Sequence, residues 1–412
     1  MGRRLDPLVG TVAMVSMHTS PLAQPGRGDG GGMNVFVREL GGALARAGVP
    51  VRCYVRRDDD AAEPLVAVEP GFDLVHVPVG PATVAKEDLE ALVPTFGEWV
   101  GNDIADRGDV TSIHANYWLS GMAAHRIKHE LSLPLVSTFH TLARVKTEGG
   151  DAEPEARAVA ETEIIGCSDA VTAATPLEAM QLVDLYGTRA DRIELVAPGV
   201  DRAFFSPGDK AGARWAADLP DAPTLLFVGR IQPLKGLELA VAALAELSTP
   251  GARLVVVGGV SGAGGAAELA RIEALATDLG VADRITWVEP QPHHLLSSYY
   301  RAADVVVVPS RSESFGLVAL EAAACGIPVV ASSVGGLSRL VVDGDTGLLV
   351  PRRSSGAFAA AIDQVLSDPE LAQHMGARAA ERAQLYTWSA AAGRLRRCYA
   401  DLAERSLVSC GA

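Results

Sequence analysis

Two carboxylates, Glu313 and Glu321, stand in the stretch PSRSESFGLVALEAAACGIPVVA (309–331) with seven residues between them. The apolar run 305–308 reads as a strand, the polar turn 310–314 as a loop, and the alanine-rich segment with Leu317, Leu320 and Ala324 as a helix. Gly326 and Pro328 stop that helix. On helical geometry the spacing of the two glutamates is two turns plus roughly 80°, so both can face one cleft. The N–H groups of Ser314, Phe315 and Gly316 fall at the helix start, where an anion is favoured. A carboxylate for hydroxyls beside N–H groups for phosphate suits a sugar nucleotide. Two solvated glutamates on a capped surface helix are the alternative.

Cations that could answer a diphosphate lie in FVGRIQPLKG, directly after the apolar run 224–228. Arg230 and Lys235 would project from a strand-to-helix loop and stabilise the charge of a departing diphosphate. Two loop cations by themselves are usually solvated; four such residues in one half favour the functional reading. The first half carries its own set: Lys86 after a turn, Tyr117 in HANYWLSG, His140 and Thr141 in STFHTLARVK, and Arg157 in EPEARAVAE. Each taken singly is as well explained by structure, Tyr117 beside Trp118 as core and His140 as a core histidine. Brought together by strand-end loops, one lysine, one arginine and two hydroxyls make a site for a phosphate monoester. GDGGGMN (28–34) allows close approach of backbone to phosphate or is only a flexible loop, for it lacks GxGxxG spacing. Asn34 bonds a hydroxyl or caps the helix that follows. No GxSxG, no DxD and no histidine cluster with ligand spacing is present, so nucleophilic-triad and metal-assisted chemistry have no support, and no metal ligands or cofactor beyond a nucleotide sugar are expected.

The elements that must position these residues follow an alternating rhythm. Strands are expected at 9–17, 51–55, 74–77, 111–114, 135–138, 170–173 and 193–196, with helix 36–47 after the glycine-rich loop. The rhythm restarts at 224–228, 254–257, 284–288, 305–308 and 328–331. The proline, glycine and charge cluster at 198–208 marks the boundary, so domains 1–203 and 204–387 are expected. This is an α/β chain of two doubly wound halves, and ligands in such sheets bind at the carboxyl ends of the strands. With 412 residues and 48% hydrophobic content each half can bury a core. A net charge of −14 argues against nucleic acid or an anionic membrane as partner. No apolar run approaches a membrane span, and the arginine pair before 9–17 lacks the cleavage site of a signal peptide. Five scattered cysteines form neither a metal spacing nor a disulfide framework, which points to the cytoplasm.

GRIQPLKG together with the glutamate pair of ESFGLVALE resembles the donor signature of the family-4 retaining glycosyltransferases, and the likeness extends over nearly the whole chain. HTSPLAQPGRGDGGGMNV, NYWLSG and FHTLARVK are similar to the actinobacterial branch that transfers N-acetylglucosamine to inositol phosphate in mycothiol biosynthesis. The resemblance implies GT-B architecture: two Rossmann-like domains facing a central cleft, with a last helix (388–412 region) packing back on the first. It makes Gln24, Pro25 and the Gly32 backbone neighbours of a UDP-sugar donor, with Arg230 and Lys235 on its diphosphate, Glu313 on the transferred sugar and Glu321 on the ribose. Gln291 in EPQPHH falls in the loop that meets the base. His140, by its place at a strand end and not by the resemblance, is a candidate to donate to a donor-sugar hydroxyl. His18, Asp29 and Asn34 would meet the inositol ring, and Lys86, Tyr117, Thr141 and Arg157 would grip its phosphate. Two departures lie on the acceptor side: Asn116, where the relatives usually have histidine, and the segment 53–71, shorter and more acidic than expected; a paralogue using another nucleotide sugar and another phosphorylated polyol or sugar, as in specialised metabolism, is the alternative.

The resemblance further implies transfer with retention through front-face attack, the leaving diphosphate taking the acceptor proton, with domain closure excluding water. Small-molecule nucleotide sugar and phosphorylated acceptor are then the partners, and a homodimer is compatible with all of this. Within glycosyl transfer, sucrose-phosphate synthesis is the runner-up. From other classes, a sugar-nucleotide epimerase would turn over its substrate with no acceptor, and a non-catalytic sensor would bind donor without releasing UDP.

Overall fold

A computed structural model describes residues 10–28, 30–150, 152–262 and 264–410; within these the side chain of Lys86 is left aside. The chain divides into two compact units. One takes the chain up to Ala23, Met33–Ala197 and everything from Trp388 onward; the other takes Gln24–Gly32 and Pro198–Thr387. The glycine-rich loop therefore belongs to the second unit although its neighbours in sequence belong to the first.

In the first unit the strands are β1 (Thr11–Val15), β2 (Val51–Arg56), β3 (Leu65–Glu69), β4 (Phe72–Val77), β5 (Val110–Asn116), β6 (Leu135–Thr138), β7 (Ala170–Ala173) and β8 (Ile193–Leu195). They form one sheet in the order β3-β4-β2-β1-β5-β6-β7-β8. All neighbours are parallel except β3 and β4. The strands β1, β6 and β7 are buried along their whole length, as strands covered on both faces must be. The sequence reading missed β3. It is an exposed edge strand, and the Pro70–Gly71 turn returns it as a hairpin onto β4 in an otherwise parallel sheet.

The second unit holds β9 (Thr224–Val228), β10 (Arg253–Val257), β11 (Ile285–Val288), β12 (Val305–Val308), β13 (Val329–Ser332) and β14 (Gly347–Val350). Their order is β11-β10-β9-β12-β13-β14, parallel throughout. The short edge strand β14 was also missed. Its core gathers Leu225, Val256, Val305, Val307, Val330 and Phe358. Each sheet has a switch point where the winding reverses, at β1/β5 in the first and at β9/β12 in the second. A crevice opens there at the carboxyl ends.

The helix Trp388–Ala403 is part of the first unit. Its Tyr399 hydroxyl lies 2.7 Å from His114 Nδ1, and Thr138 Oγ1 is 2.8 Å from His114 Nε2. His114 is fully buried and burial pushes its pKa down to about 3, so it stays neutral. Among the described residues no helix is long and apolar enough to cross a membrane. The expectation that the cysteines form no framework is corrected in one respect. Cys167 and Cys410, 243 residues apart, stand at disulfide distance with their Cα atoms 5.1 Å apart, a contact open to oxidation or to a shared ligand, while Cys53, Cys325 and Cys398 are free and buried. A pairing over that distance leaves no spacing signal in a sequence.

Candidate functional site

The switch point of the second sheet carries the cations and carboxylates. After β9 the chain passes Arg230 and turns through the 3-10 helix Pro233–Lys235. Gly236 closes that turn at φ 71°, and a Cβ there would lie 2.2 Å from the Pro309 carbonyl; only glycine lets the turn sit against the end of β12. Arg311 N–H donates to Leu234 O at 2.8 Å and fastens the same contact. Lys235 Nζ consequently lies 2.7 Å from Glu313 Oε2. The Glu313 backbone is fixed from the other side by Gly335, whose Cβ would lie 2.0 Å from the Glu313 carbonyl, and by the Gly336 N–H, which donates to that carbonyl at 2.9 Å.

The helix Leu317–Ala324 starts beyond Gly316 at φ 101°. Among the described residues the N–H groups of Phe315 and Gly316 donate to nothing, and with Ser314 they form the positive end of the helix. Glu321 lies on this helix, buried, and accepts from Tyr300 Oη at 2.8 Å and from His293 Nε2 at 2.7 Å. Both of its oxygens are thus already engaged, each keeping a further lone pair. The sequence pattern did not anticipate the partnership of His293 with Glu321.

The loop Gln24–Gly32 packs within this unit. The Gln24 side-chain amide donates to the Pro290 carbonyl. A Cβ at Gly26 would meet Pro290 at 3.2 Å, and one at Gly31 would lie 3.4 Å from Arg230 Nε. Pro25 and Gly32 flank these contacts in the same loop. Arg230 Nη1 approaches Ser261 Oγ at 3.5 Å, and Gln232 holds that hydroxyl at 3.0 Å. Gln291 is half-buried, its amide donating to Glu289 O at 2.8 Å. The structure therefore brings Gln24, Arg230, Lys235, Glu313 and Glu321 into one unit with the start of the helix Leu317–Ala324.

At the switch point of the first sheet the loops after β1, β5 and β6 converge. Asn34 lies within the helix Gly32–Arg46 and so does not cap it; its amide donates to Thr19 Oγ1 at 2.7 Å and Ser20 O at 2.6 Å, drawing the β1 loop onto the helix. His18 stacks on Tyr117 with ring centroids 4.5 Å apart. Tyr117 follows β5 at φ 76°, ψ 159°, and His140 follows β6 at φ 61°. Both are non-glycine residues held in sparsely populated backbone regions, a strain that the surrounding structure must offset and that concentrates at functional sites. His140 Nε2 is 3.0 Å from Asn116 Oδ1. Desolvation, with the neighbouring His114, pushes the His140 pKa down to about 3, so its imidazole is a neutral hydrogen-bonding group.

Arg157 is buried on the helix Glu155–Cys167. Its guanidinium lies over the Tyr117 ring at 5.0 Å, and Nη2 donates to Thr141 O at 2.8 Å and Thr141 Oγ1 at 3.1 Å. Its other donors reach Glu161 and Glu153, both at 2.8 Å, and Lys146 pairs with Glu153 as well. Glu153, Glu161 and Lys146 were missed as members of this cluster, although Arg157 and Glu161 stand at i,i+4 on the helix and Glu153 lies four residues before Arg157, just ahead of the Pro154 cap. Lys86 opens the 3-10 helix Lys86–Leu92; its side chain, like Asp29, lies outside the described residues.

Two family models divide the chain between them: "Glycosyl transferase 4-like domain" matches residues 31–199 and "Glycosyl transferases group 1" matches 212–382. The D-inositol 3-phosphate glycosyltransferase 2 of Catenulispora acidiphila is 43% identical over 98% of this chain and 96% of its own length. The chain belongs to the family-4 glycosyltransferases. A D-inositol 3-phosphate glycosyltransferase of Acidothermus cellulolyticus is 44% identical over 96% of this chain and 91% of its own. Among solved structures, sucrose-phosphate synthase from Thermosynechococcus elongatus superposes with a TM-score of 0.90 at 36% identity, covering 95% of this chain and 99% of that one. Anabaena HepE in complex with UDP and glucose shares the GT-B fold with a TM-score of 0.76 at 17% identity, over 95% and 100% of the two chains. This family-4 chain is accordingly a hexosyltransferase of two Rossmann-like halves.

Proposed function

We propose that the enzyme transfers N-acetylglucosamine from UDP-GlcNAc to a hydroxyl of 1D-myo-inositol 3-phosphate with retention of configuration. The observation that carries this reading is the Arg157 cluster of the first unit. A guanidinium held against Thr141 and Tyr117 beneath two strained strand ends is suited to a phosphate monoester. The chain's 43–44% identity to relatives named D-inositol 3-phosphate glycosyltransferase supports the choice of acceptor. In this reading Glu153 keeps the place of the phosphate: Arg157 and Lys146 both pair with it, and an arriving dianion exchanges one carboxylate for a doubly charged partner. Lys86 adds a further cation, and His18, Asp29 and Asn34 meet the cyclitol ring.

The second unit takes the donor. Arg230 and Lys235 with the N–H groups of Ser314, Phe315 and Gly316 receive the diphosphate, and Gln24, Pro25 and Gly32 line the same loop. Glu313 holds sugar hydroxyls, Glu321 shares its remaining lone pairs with the ribose, and Gln291 adjoins the base. As the bond from the anomeric carbon to the diphosphate oxygen breaks, Lys235 and Arg230 stabilise the charge that develops. The acceptor oxygen attacks on the same face, and its proton passes to the departing diphosphate. No protein base is required, and His140, neutral at working pH, acts only by hydrogen bonding to the sugar.

A second reading, sucrose-phosphate synthesis, is favoured by the 36% identity to a solved enzyme of that name. UDP- and GDP-sugars are incubated with inositol 3-phosphate, free inositol and fructose 6-phosphate, and the products are weighed by mass spectrometry. A HexNAc adduct on inositol 3-phosphate alone is the expected result. A hexosyl fructose phosphate instead selects the second reading, and equal yields on free inositol remove the phosphate site.

A further inference from the structure

Away from both switch points, four side chains converge at one end of the first unit. His125 and His129 stand one turn apart on the helix Trp118–Leu131, Cys167 ends the helix Glu155–Cys167, and Cys410 lies in the tail beyond the last helix. Their ligand atoms all lie within 4.8 Å of one another. The two Nε2 atoms are 3.0 Å apart, and Cys410 Sγ is 3.0 Å from His129 Nε2 and 3.5 Å from His125 Nε2. A disulfide between the cysteines would account for two of the four residues. It gives no reason for two imidazoles to aim the same nitrogen at each other and at one sulfur. With Zn–N near 2.0 Å and Zn–S near 2.3 Å, a tetrahedral centre separates its ligand atoms by about 3.3 to 3.7 Å, close to the nitrogen–nitrogen and nitrogen–sulfur distances found; the two sulfurs, which stand at disulfide distance, must separate as reduced thiols to admit the ion.

We infer that His125, His129, Cys167 and Cys410, the cysteines as thiolates, form a closed tetrahedral site for a divalent zinc-class ion that fastens the carboxyl-terminal tail to the first unit. Two thiolates and two neutral imidazoles match the borderline-soft preference of zinc, and four protein ligands leave no open position for chemistry, so the role is structural. Binding releases the two thiol protons and leaves the centre neutral. The surroundings already tie the tail to this place. Asp169 accepts the Val408 N–H at 2.7 Å and pairs with buried Lys128 at 2.7 Å, and Lys128 also donates to the Cys167 carbonyl at 2.6 Å. Those carbonyl and carboxylate partners occupy Lys128, so its charge does not oppose the ion. This inference is independent of the sugar-transfer reading.

The full-length protein is purified under a phosphine reductant without chelator, and its zinc is counted by elemental mass spectrometry. About one zinc per chain is expected, with a marked loss in both Cys410→Ser and His129→Ala. Cobalt added to chelator-stripped, reduced protein should give the ligand-field and thiolate charge-transfer bands of a tetrahedral site, absent from both variants. Both substitutions fall on partly or fully exposed residues, and circular dichroism checks that they fold. Reduced, folded wild type that holds no stoichiometric zinc and gives no cobalt spectrum overturns the inference. Metal content unchanged in both variants does the same.

Discussion

Replacing Lys235 by alanine separates catalysis from stability because the two effects differ by orders of magnitude. In the folded protein Lys235 Nζ is 2.7 Å from Glu313 Oε2, and both side chains keep partial solvent contact, 24% and 19%. An ion pair that wet is worth about 1 kcal/mol or less, which in a chain of this size moves the melting temperature by roughly 2 °C. The effect on turnover is larger. Lys235 ends a short turn locked between Pro233 and Gly236, so its charge needs no reorganisation when the diphosphate departs. Removing one such preorganised donor costs about 3 kcal/mol of transition-state stabilisation, a factor of roughly 150 in kcat. The assay follows UDP release continuously with donor and inositol phosphate saturating, beside a thermal melt of the same preparation. A Lys235→Ala enzyme within fivefold of wild-type kcat at an unchanged melt would refute the diphosphate clamp.

Three further outcomes are expected. Thr141→Ala should raise the KM for the phosphorylated acceptor about tenfold, the worth of one charge-assisted hydrogen bond, with UDP affinity measured by calorimetry unchanged; a shift in UDP affinity instead would move Thr141 to the donor side. Burial raises the Glu178 pKa from 4.5 to about 7, so the folded state holds that proton more tightly than the unfolded one. Its contribution is full below pH 4.5 and is lost as pH rises through 7, by about 3 kcal/mol. Glu178→Gln should therefore stabilise the protein relative to wild type at pH 8 and not at pH 4.5, as read from denaturant midpoints, and an equal difference at both pH values counts against it. Tyr399→Phe removes the partner of buried His114 Nδ1 and should cost about 1–2 kcal/mol; a neutral result would mean that the last helix is not anchored through this bond.

The parallel strands were legible because strands buried on both faces are nearly continuous apolar runs; Val305–Val308 is four valines. The edge strands β3 and β14 were not, although the edge strands β8 and β11 were: β3 has no buried position and β14 is four residues begun by a glycine. The carboxylates and cations of the donor half stood out through their spacing around two strand ends. What stayed hidden was who already holds them: His293 and Tyr300 on Glu321, Glu153 and Glu161 on Arg157, Ser261 near Arg230. Partnerships of that kind depend on loop geometry, which a strand and helix pattern does not specify. The four ligands of the tail site come from three separated segments; only the His125–His129 pair had a local period, and the expectation of no histidine cluster with ligand spacing overlooked it.

The helix Trp388–Ala403 is synthesised after Pro198–Thr387 yet completes the unit whose sheet precedes that segment. At about 5–20 residues per second, the ribosome spends roughly ten to forty seconds on Pro198–Thr387 before Tyr399 emerges to cover His114. Throughout that interval the nascent amino-terminal half has an uncovered apolar seam along the bed of its missing helix. A chain truncated before Trp388 would keep that seam open permanently.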